Sequence, residues 1–287
     1  MRKTKVILTA PTSVLAKCFI RETENVLEFF TIGRRDSDFI YDFTEKEIPS
    51  IDIKGDLLIH MAAVLDGNED RELLSMMDTN INGTLAACMI AKKCGIRRVI
   101  LISSVSAILP EDSGYFNYYA LSKRQSEDAA QMFCRKNDID LCIVRPSQII
   151  GEVMDGFKRH QEFFYYLFER AMNGQDICIY GKHDAIRNYI DIRDVVQALR
   201  YIVENKITGI VDLVNQRDYH LTELIEMMKH ACRSDSKVWF DPNKPDIEDL
   251  VFEHKKTTLF DLNTFMEVHN MQETINYIYL SYRKEFC

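Results

Sequence analysis

Short apolar runs alternate with longer amphipathic stretches through the first two thirds of the chain, and this alternation constrains the fold most. The apolar runs lie at 6–8, 28–32, 56–59, 98–102 and 140–144. Amphipathic stretches that begin at Ser13 or cover 80–93 lie between them. Such short runs between helical stretches are typical of parallel strands that are buried on both faces. The sequence therefore predicts an α/β fold with a doubly wound parallel sheet.

The pattern becomes looser after Pro146, where an aromatic segment at 163–168 and several polar loops follow. A further amphipathic helix is predicted over 222–233, with apolar residues along one face. The sequence contains no internal repeat and no composition typical of a linker. We therefore expect a sheet domain over 1–150 and a smaller lobe over 151–287, some segments of which return to the sheet.

The charge balance limits the partners of the chain. Lys and Arg number 36 and Asp and Glu number 44, so the formal net charge is −8. Neither nucleic acid nor an anionic membrane surface is an expected partner, because both attract clustered Lys and Arg. Only 11 Gly and 6 Pro are present, which excludes collagen-like and low-complexity chains.

The cysteines and the start of the chain predict an intracellular location. None of the eight cysteines forms a C-x-x-C pair, and most lie in apolar runs, so we expect reduced core residues. Pro11 interrupts the early apolar stretch that a signal peptide would need. No apolar run approaches the roughly 20 residues that cross a bilayer. A cytoplasmic protein is expected.

Three residues between positions 98 and 123 carry the clearest chemical signal. The run at 98–102 is followed by two serines, of which Ser104 is the second, and Tyr119 and Lys123 come later at four-residue spacing. On a helix this spacing places both side chains on one face. A phenol has a pKa near 10, too high for a base at neutral pH, and a nearby cation lowers it. The alternative is an ordinary surface pair of Tyr and Lys.

Five further motifs follow in an order and spacing that resemble the extended branch of the short-chain dehydrogenase/reductase superfamily. This branch contains nucleotide-sugar epimerases, dehydratases and reductases. The motifs are L-I-H-M-A-A at 58–63, T-N-I-N-G-T at 79–84, V-R-P at 144–146, I-G at 150–151 and R-N-Y-I-D-I-R-D-V at 187–195. The resemblance runs along almost the whole chain and implies a Rossmann-like fold with a nicotinamide dinucleotide, and a homodimer is expected.

The resemblance also implies roles for individual residues. Ser104, Tyr119 and Lys123 are the expected catalytic residues, and Ser104 and Arg187 are the expected contacts to a nucleotide-sugar substrate, with Arg187 holding its pyrophosphate. The expected cofactor contacts are Thr9, Ala10, Thr12, Ser13, Val14, Arg34, Arg35, Asp42, Phe43, Met61, Ala62, Ala63, Asn80, Tyr119, Lys123 and Pro146.

The chain departs from the family in the loop that follows its first predicted strand. The family carries T-G-x-x-G-x-x-G there, whereas this chain has Ala10, Ser13 and Ala16 in place of the glycines. Glycines permit a tight turn and a close approach to pyrophosphate, so we expect weaker contact with the cofactor. The Ser13 hydroxyl can donate to a phosphate oxygen in compensation. Glycines at positions 10 and 13 are expected to tighten binding and to cost some stability.

The residues after the second predicted strand bear on the choice of cofactor. Arg34 and Arg35 stand where an NAD-dependent enzyme usually has an acidic residue, and arginine suits a 2′-phosphate. NADP is therefore slightly favoured over NAD, with two solvated arginines as the alternative. Asp42 is expected to contact the adenine amine, or else to be a plain turn residue. His60 is expected to be a structural histidine with its hydrogen bonds satisfied.

The reaction itself is left open between two choices. Sugar 4,6-dehydratases carry an Asp-Glu pair directly after the strand serines, and this chain has Val105, Ser106 and Ala107 instead, so dehydration is disfavoured. Epimerisation and keto-sugar reduction remain. No metal-ligand spacing and no G-x-S-x-G motif is present. The alternative from another class is a non-catalytic dinucleotide-binding or scaffold protein with a degenerate glycine motif.

Overall fold

The computed structural model of the chain describes residues 2–65, 69–152, 161–252 and 268–285. Its strands are β1 Thr4–Thr9, β2 Leu27–Gly33, β3 Phe39–Ile40, β4 Leu57–His60, β5 Arg98–Ile102, β6 Asp140–Pro146, β7 Gln148–Ile150, β8 Ile177–Tyr180, β9 Ile186–Arg187, β10 Tyr189–Asp191, β11 Gly209–Leu213, β12 Tyr219–His220 and β13 Val238–Asp241. Its α-helices are α1 Val14–Thr23, α2 Asp70–Met77, α3 Gly83–Lys93, α4 Tyr118–Lys136, α5 Glu162–Met172, α6 Ile192–Glu204, α7 Leu221–Cys232 and α8 Met271–Glu285. A π-helical turn spans Asp78–Asn82, and a 3-10 turn spans Val105–Ile108.

Seven strands form one parallel sheet in the order β11, β6, β5, β4, β1, β2, β3. From β1 the chain first builds outward through β2 and β3, and it then returns to build outward on the other side through β4, β5, β6 and β11. The predicted doubly wound, Rossmann-like sheet is confirmed. Its direction reverses between β1 and β4, and ligands of such sheets bind outside the carboxyl ends of the strands at this point.

The central strands form because their apolar side chains are covered on both faces. Val6, Ile7 and Leu8 of β1 are at most 1% exposed, and the side chains of β4 are buried to the same degree. Fully burying each large aliphatic side chain contributes about 1.5–3 kcal/mol. The sheet thus provides a rigid base, and the strand ends can hold reactive groups in fixed positions.

The helix predicted over 80–93 differs from the one observed. The helical path already begins at Asp70 with α2, continues through the π-helical turn and only then becomes α3. The reason is the buried side chain of Asn80 in the π-helical turn. Its amide oxygen accepts from the backbone N–H of Val64, and its amide nitrogen donates to the Val64 carbonyl and to the Ser122 hydroxyl. By contrast, the helix predicted over 222–233 is confirmed as α7, within one residue at each end.

The described chain forms two compact units. The first contains the chain up to Pro146 together with Val196–Leu213, and the second contains Ser147–Val195 and the described residues from Val214 onward. Strand β11, which follows α6 in the chain, pairs with β6 in the large sheet and belongs to the first unit. In the second unit, the strands form three two-stranded sheets, β7 with β10, β9 with β12 and β8 with β13.

The described residues meet the requirements of neither a membrane-spanning helix nor a metal site. None of their helices is both long enough and apolar enough to cross a bilayer. They also contain no cluster of three or more His, Cys, Asp or Glu side chains that could hold a metal ion. The seven described cysteines carry free thiols, and Cys18, Cys88, Cys134 and Cys142 are buried.

Candidate active site

A cleft of about 440 Å³ opens at the carboxyl ends of β1, β2 and β4, beside the point where the sheet reverses direction. It is lined by Ala10, Thr12, Gly33, Arg34, Arg35, Asp42, Phe43, Ala62, Ala63, Val64 and Thr79. Eight of these eleven residues are among the expected cofactor contacts. The sequence therefore identified most of this surface, although it did not assign Gly33, Val64 and Thr79.

Gly33 leaves room for the turn between β2 and β3 to pack closely against the first loop. A Cβ atom at this position would lie 2.7 Å from Ser37 Oγ and 3.1 Å from Pro11 Cδ. The next two residues, Arg34 and Arg35, are exposed at the cleft. A glycine at a strand end was the signal in the sequence that could have identified this position.

Ala10 adopts a left-handed backbone conformation, which favours glycine. Its φ is +52°, and its N–H donates to Ile32 O at 2.9 Å while its carbonyl accepts from Ser13 N at 3.0 Å. The left-handed region costs a residue with a Cβ about 1–2 kcal/mol. The expectation that glycine at position 10 lowers stability is therefore wrong, because alanine already carries this conformational strain.

The other two glycine positions also retain the path of the loop. Ser13 is the N-cap residue of α1, and its Oγ accepts from Ala16 N at 3.3 Å. Ala16 has no exposed surface, which is consistent with the close packing expected of the third glycine position. The Ser13 hydroxyl hydrogen is not used by this cap, so it can still be donated to a ligand.

Replacing Ala10 with glycine is expected to stabilise the protein by about 1 kcal/mol, because glycine adopts the left-handed conformation without the strain that alanine carries there. Ala16→Gly is the matched control, because Ala16 lies in the first turn of a regular helix, where glycine costs about 1 kcal/mol. Urea unfolding of both variants measures the two effects. Equal destabilisation by both substitutions would contradict the strain at position 10.

Thr9 and His60 form a buried pair behind the cleft. Thr9 Oγ1 accepts the backbone N–H groups of Met61 at 2.9 Å and Ala62 at 3.2 Å, and it lies 3.0 Å from His60 Nδ1. Since the Thr9 oxygen already accepts two hydrogens, its own hydrogen is donated to Nδ1. His60 therefore carries its proton on Nε2.

His60 is only half satisfied, contrary to the expectation from sequence. Among the described residues its buried Nε2 has no hydrogen-bond partner. Burial, with a smaller contribution from the charge of Lys123, lowers the pKa of His60 to about 3. The imidazole is therefore neutral throughout the physiological range.

Asp42 and Phe43 form one wall of the cleft, and their contact with the cofactor stays a prediction. Asp42 Oδ1 accepts from the backbone N–H of Thr44 at 3.0 Å and from its hydroxyl at 2.9 Å, which fixes the turn. Phe43 is buried and packs edge-on against His60, with ring centroids 5.2 Å apart. Gly83 of α3 leaves room for Phe43, because a Cβ atom at position 83 would lie 3.0 Å from Phe43 Cβ.

The three expected catalytic residues come together at the end of β5 and the start of α4. Asn117 caps α4 by accepting from Ala120 N at 3.0 Å, which places Tyr119 in the first turn and Lys123 one turn later. The Ser104 side chain is close enough to the Tyr119 phenol to lower its pKa. Lys123 Nζ lies 5.9 Å from the centre of the Tyr119 ring and donates to Ile102 O at 3.0 Å.

The protonation of this trio differs from the sequence expectation. Burial raises the pKa of Tyr119 to about 12, and the nearby Ser104 side chain only partly offsets this effect. The nearby Lys123 ammonium group does not outweigh the effect of burial. Burial also lowers the pKa of Lys123 to about 8, against the attraction of Glu127. At neutral pH the phenol is therefore protonated and the lysine is mostly charged.

Several expected cofactor contacts are buried rather than exposed at the surface of the cleft. These are Thr9, Val14, Met61, Asn80, Lys123 and Pro146. Asn80 in particular uses its amide to join the segment after β4 to α4, since it donates to Ser122 Oγ at 2.9 Å and Ser122 Oγ donates to Tyr119 O at 2.8 Å. In this arrangement Asn80 supports the position of Tyr119.

Arg187 lies in the second unit, on β9, and is only 4% exposed. Its Nη1 donates to Ile186 O at 2.8 Å and to Glu248 O at 2.7 Å. The guanidinium thus joins β9 to the segment around Glu248. Its expected contact with a substrate pyrophosphate stays a prediction.

The doubly wound sheet, the cleft at its reversal point and the Ser104, Tyr119 and Lys123 trio define an enzyme of the extended short-chain dehydrogenase/reductase type. The model of the NAD dependent epimerase/dehydratase family matches residues 20–214. Because this match covers more than half of the chain, the chain belongs to that family. The matched range begins after the loop that contains Ala10, Ser13 and Ala16.

Relatives of known name agree with this family. The chain is 23% identical over 241 residues to a protein of Methanocaldococcus jannaschii provisionally named UDP-glucose 4-epimerase, and the match covers 80% of this chain and 76% of that one. It is 24% identical over 185 residues to UDP-glucuronic acid decarboxylase 6 of Arabidopsis thaliana, with 58% of this chain covered. The chain spans about half the length (52%) of that decarboxylase.

Solved structures share the fold over nearly the whole chain. UDP-glucose 4-epimerase of Thermotoga maritima with UDP-glucose has a TM-score of 0.76 at 18% identity, with 99% of this chain and 100% of that chain covered. UDP-glucuronic acid 4-epimerase of Bacillus cereus in complex with NAD has a TM-score of 0.78 at 14% identity and the same coverage. At these identities the likeness establishes the fold.

Proposed function

We propose that the chain interconverts epimers of a nucleotide-linked sugar by reversible oxidation with a nicotinamide dinucleotide. The observation that carries this proposal is the meeting of Ser104, Tyr119 and Lys123 at the end of β5. A non-catalytic scaffold has no need of this trio. The names of the relatives favour an epimerase over a keto-sugar reductase, and a reductase remains the second choice because of Arg34 and Arg35.

The cleft suits a dinucleotide in spite of its altered loop. The loop keeps the left-handed turn at Ala10, and the N-terminus of α1 presents backbone N–H groups, which favour a phosphate. Asp42 offers a carboxylate for an adenine amine, and Arg34 and Arg35 offer guanidinium groups for the ribose end. When bound, the cofactor supplies hydride transfer and, in its oxidised form, a positive charge.

The proton chemistry belongs to the chain. Ser104 orients the sugar oxygen, and Tyr119 exchanges a proton with the same oxygen. Since the pKa of Tyr119 is raised to about 12, the phenol is ready to donate to a keto oxygen, and it needs additional positive charge nearby before it can accept a proton from a hydroxyl. Lys123, which is mostly charged at neutral pH, contributes to that positive charge.

The residues that follow Ser104 disfavour dehydration. Val105, Ser106 and Ala107 form a 3-10 turn, and Ser104 caps it by accepting from Ser106 N at 3.1 Å. No carboxylate stands in this turn to assist the loss of water. We further propose that Arg187 holds the substrate pyrophosphate, that the protein is a homodimer and that it is cytoplasmic.

Proton NMR of nucleotide sugars incubated with the protein tests this function. UDP-glucose, UDP-N-acetylglucosamine and UDP-glucuronic acid are each added with NAD or NADP, and the anomeric signals are followed. A second epimer is the expected product. Loss of carbon dioxide from UDP-glucuronic acid would indicate a decarboxylase instead. No change in any sample, together with no bound cofactor, would favour the scaffold.

Cofactor choice gives a separate prediction. Arg34 and Arg35 are expected to make the protein bind NADPH more tightly than NADH, and Arg34→Asp is expected to reverse that order because the new carboxylate repels a 2′-phosphate and accepts from ribose hydroxyls. Calorimetric titration of both proteins with both cofactors measures the four affinities. Equal affinities of the parent protein for NADPH and NADH would contradict the role of the arginines.

A further inference from the structure

A buried ionic cluster lies beside the trio and was not identified from the sequence. It consists of Ser103, Glu127, Arg145 and Asp212, hereafter the Glu127 cluster. Arg145 Nε donates to the two carboxylate oxygens of Glu127 at 2.9 and 3.1 Å, and Arg145 Nη1 lies 3.6 Å from Asp212 Oδ1. The Ser103 hydroxyl donates to Glu127 Oε1. Glu127 and Ser103 are 3% and 4% exposed.

Three consecutive residues from the end of β5, Ile102 to Ser104, face α4, and the Glu127 cluster provides the middle contact. The Ile102 carbonyl accepts from Lys123, the Ser103 hydroxyl donates to Glu127, and the Ser104 side chain lowers the pKa of the Tyr119 phenol. Tyr119, Lys123 and Glu127 stand at four-residue intervals, so all three side chains lie along one face of α4. The position of Ser104 is therefore fixed by the residues before it as well as by its own contact.

Charge also connects Glu127 to the trio. Lys123 is buried, and a buried ammonium group is costly without a negative charge nearby. The titratable groups that act on Lys123 or respond to it are Glu127 and Tyr119 on α4 and His60 at the end of β4. Of these, Glu127 carries the negative charge, because the phenol is protonated and the imidazole is neutral at pH 7.

We infer that Glu127 is a positioning residue: its carboxylate holds Ser103, and thus Ser104, against α4, and its charge keeps Lys123 in the ammonium form. The inference rests on the proposed function for its effect on turnover, but the contact and the charge can be measured without turnover. Arg145 on β6 keeps the Glu127 carboxylate in place, and Asp212 on β11 lies on the other side of the Arg145 guanidinium.

Glu127→Gln tests the charge, since the amide keeps the size and one acceptor oxygen. The midpoint of the Lys123 titration, followed by NMR with carbon-13 lysine, is expected to fall by about one pH unit. The signal is identified by its loss in Lys123→Met. Asp128→Asn is the matched control, because Asp128 is the next residue on the same helix and is exposed. An unchanged Lys123 midpoint in Glu127→Gln would overturn the inference.

Turnover provides the second measurement. In Glu127→Gln, kcat at neutral pH is expected to fall by up to about a hundredfold, with little change in KM, and the alkaline limb of its pH profile is expected to move to lower pH. Ser103→Ala is expected to lower kcat without moving that limb, because the carboxylate remains. A Ser103→Ala variant with the kcat of the parent would overturn the positioning of Ser104.

Two further outcomes keep the test decisive. If Glu127→Gln does not fold, Glu127→Gln/Arg145→Met removes both charges of the pair and is subject to the same two expectations. If the parent turns over no nucleotide sugar while the Lys123 midpoint falls as expected, the Glu127 inference is supported and the proposed function is overturned.

Discussion

Tyr119→Phe is expected to reduce turnover of a nucleotide sugar by about 10²–10⁴ while the protein still folds and binds its cofactor. The substitution removes only the hydroxyl that exchanges the proton, and the ring keeps its place in the first turn of α4. Steady-state rates and a cofactor titration, made on the same preparation, separate loss of chemistry from loss of binding.

The neighbouring tyrosine offers a matched control for this substitution. Tyr118 is 56% exposed and stands one residue earlier on α4, so Tyr118→Phe removes a hydroxyl from the same turn without touching Ser104 or Lys123. Parental turnover is expected for this variant. A Tyr119→Phe protein that works at the parental rate would show that Tyr119 does not carry the proton.

Acidification from pH 7 to pH 5 is expected to lower the free energy of unfolding by about 2 kcal/mol through His60 alone. In the folded protein the pKa of His60 is lowered to about 3, from 6.5 in the unfolded chain. Between these two values only the unfolded chain takes up the proton, so this contribution to stability is present above pH 6.5 and is lost as the pH falls toward 3. Urea unfolding across this range measures the slope.

His60→Asn isolates the contribution of the histidine, because the asparagine amide can still accept from Thr9 but does not titrate. Its stability is expected to fall less steeply between pH 7 and pH 5 than that of the parent. His183→Asn serves as the control, since His183 is exposed. Parallel slopes for the parent and for His60→Asn would contradict a neutral, buried imidazole.

The sheet could be predicted from sequence because its signal is local and repeated. Each buried parallel strand needs a continuous apolar run, and the run at 98–102 coincides with the whole of β5. The π-helical turn at Asn80 could not be predicted, because its cause is a set of contacts with Val64 and Ser122, which are distant in the chain. The spacing of apolar residues along the chain gives no information about such contacts.

Part of the candidate site could likewise be predicted from the sequence, and part of it could not. Four-residue spacing was sufficient to place Tyr119 and Lys123 together, but their protonation depends on burial, which no spacing reveals. The left-handed φ of Ala10 could not be predicted either, because alanine rarely adopts it. Glu127 did have a signal, because it continues the interval of four residues beyond Lys123.

Titration of the protein with NADH and NADPH tests most directly whether the loop that carries Ala10 and Ser13 in place of glycines still binds the cofactor of an enzyme. We expect saturable binding of at least one of them, and tighter binding by Ala10→Gly/Ser13→Gly, in which the loop can approach the pyrophosphate more closely. The contradicting result is that neither protein binds either cofactor up to about 1 mM, a limit of about 4 kcal/mol of binding free energy.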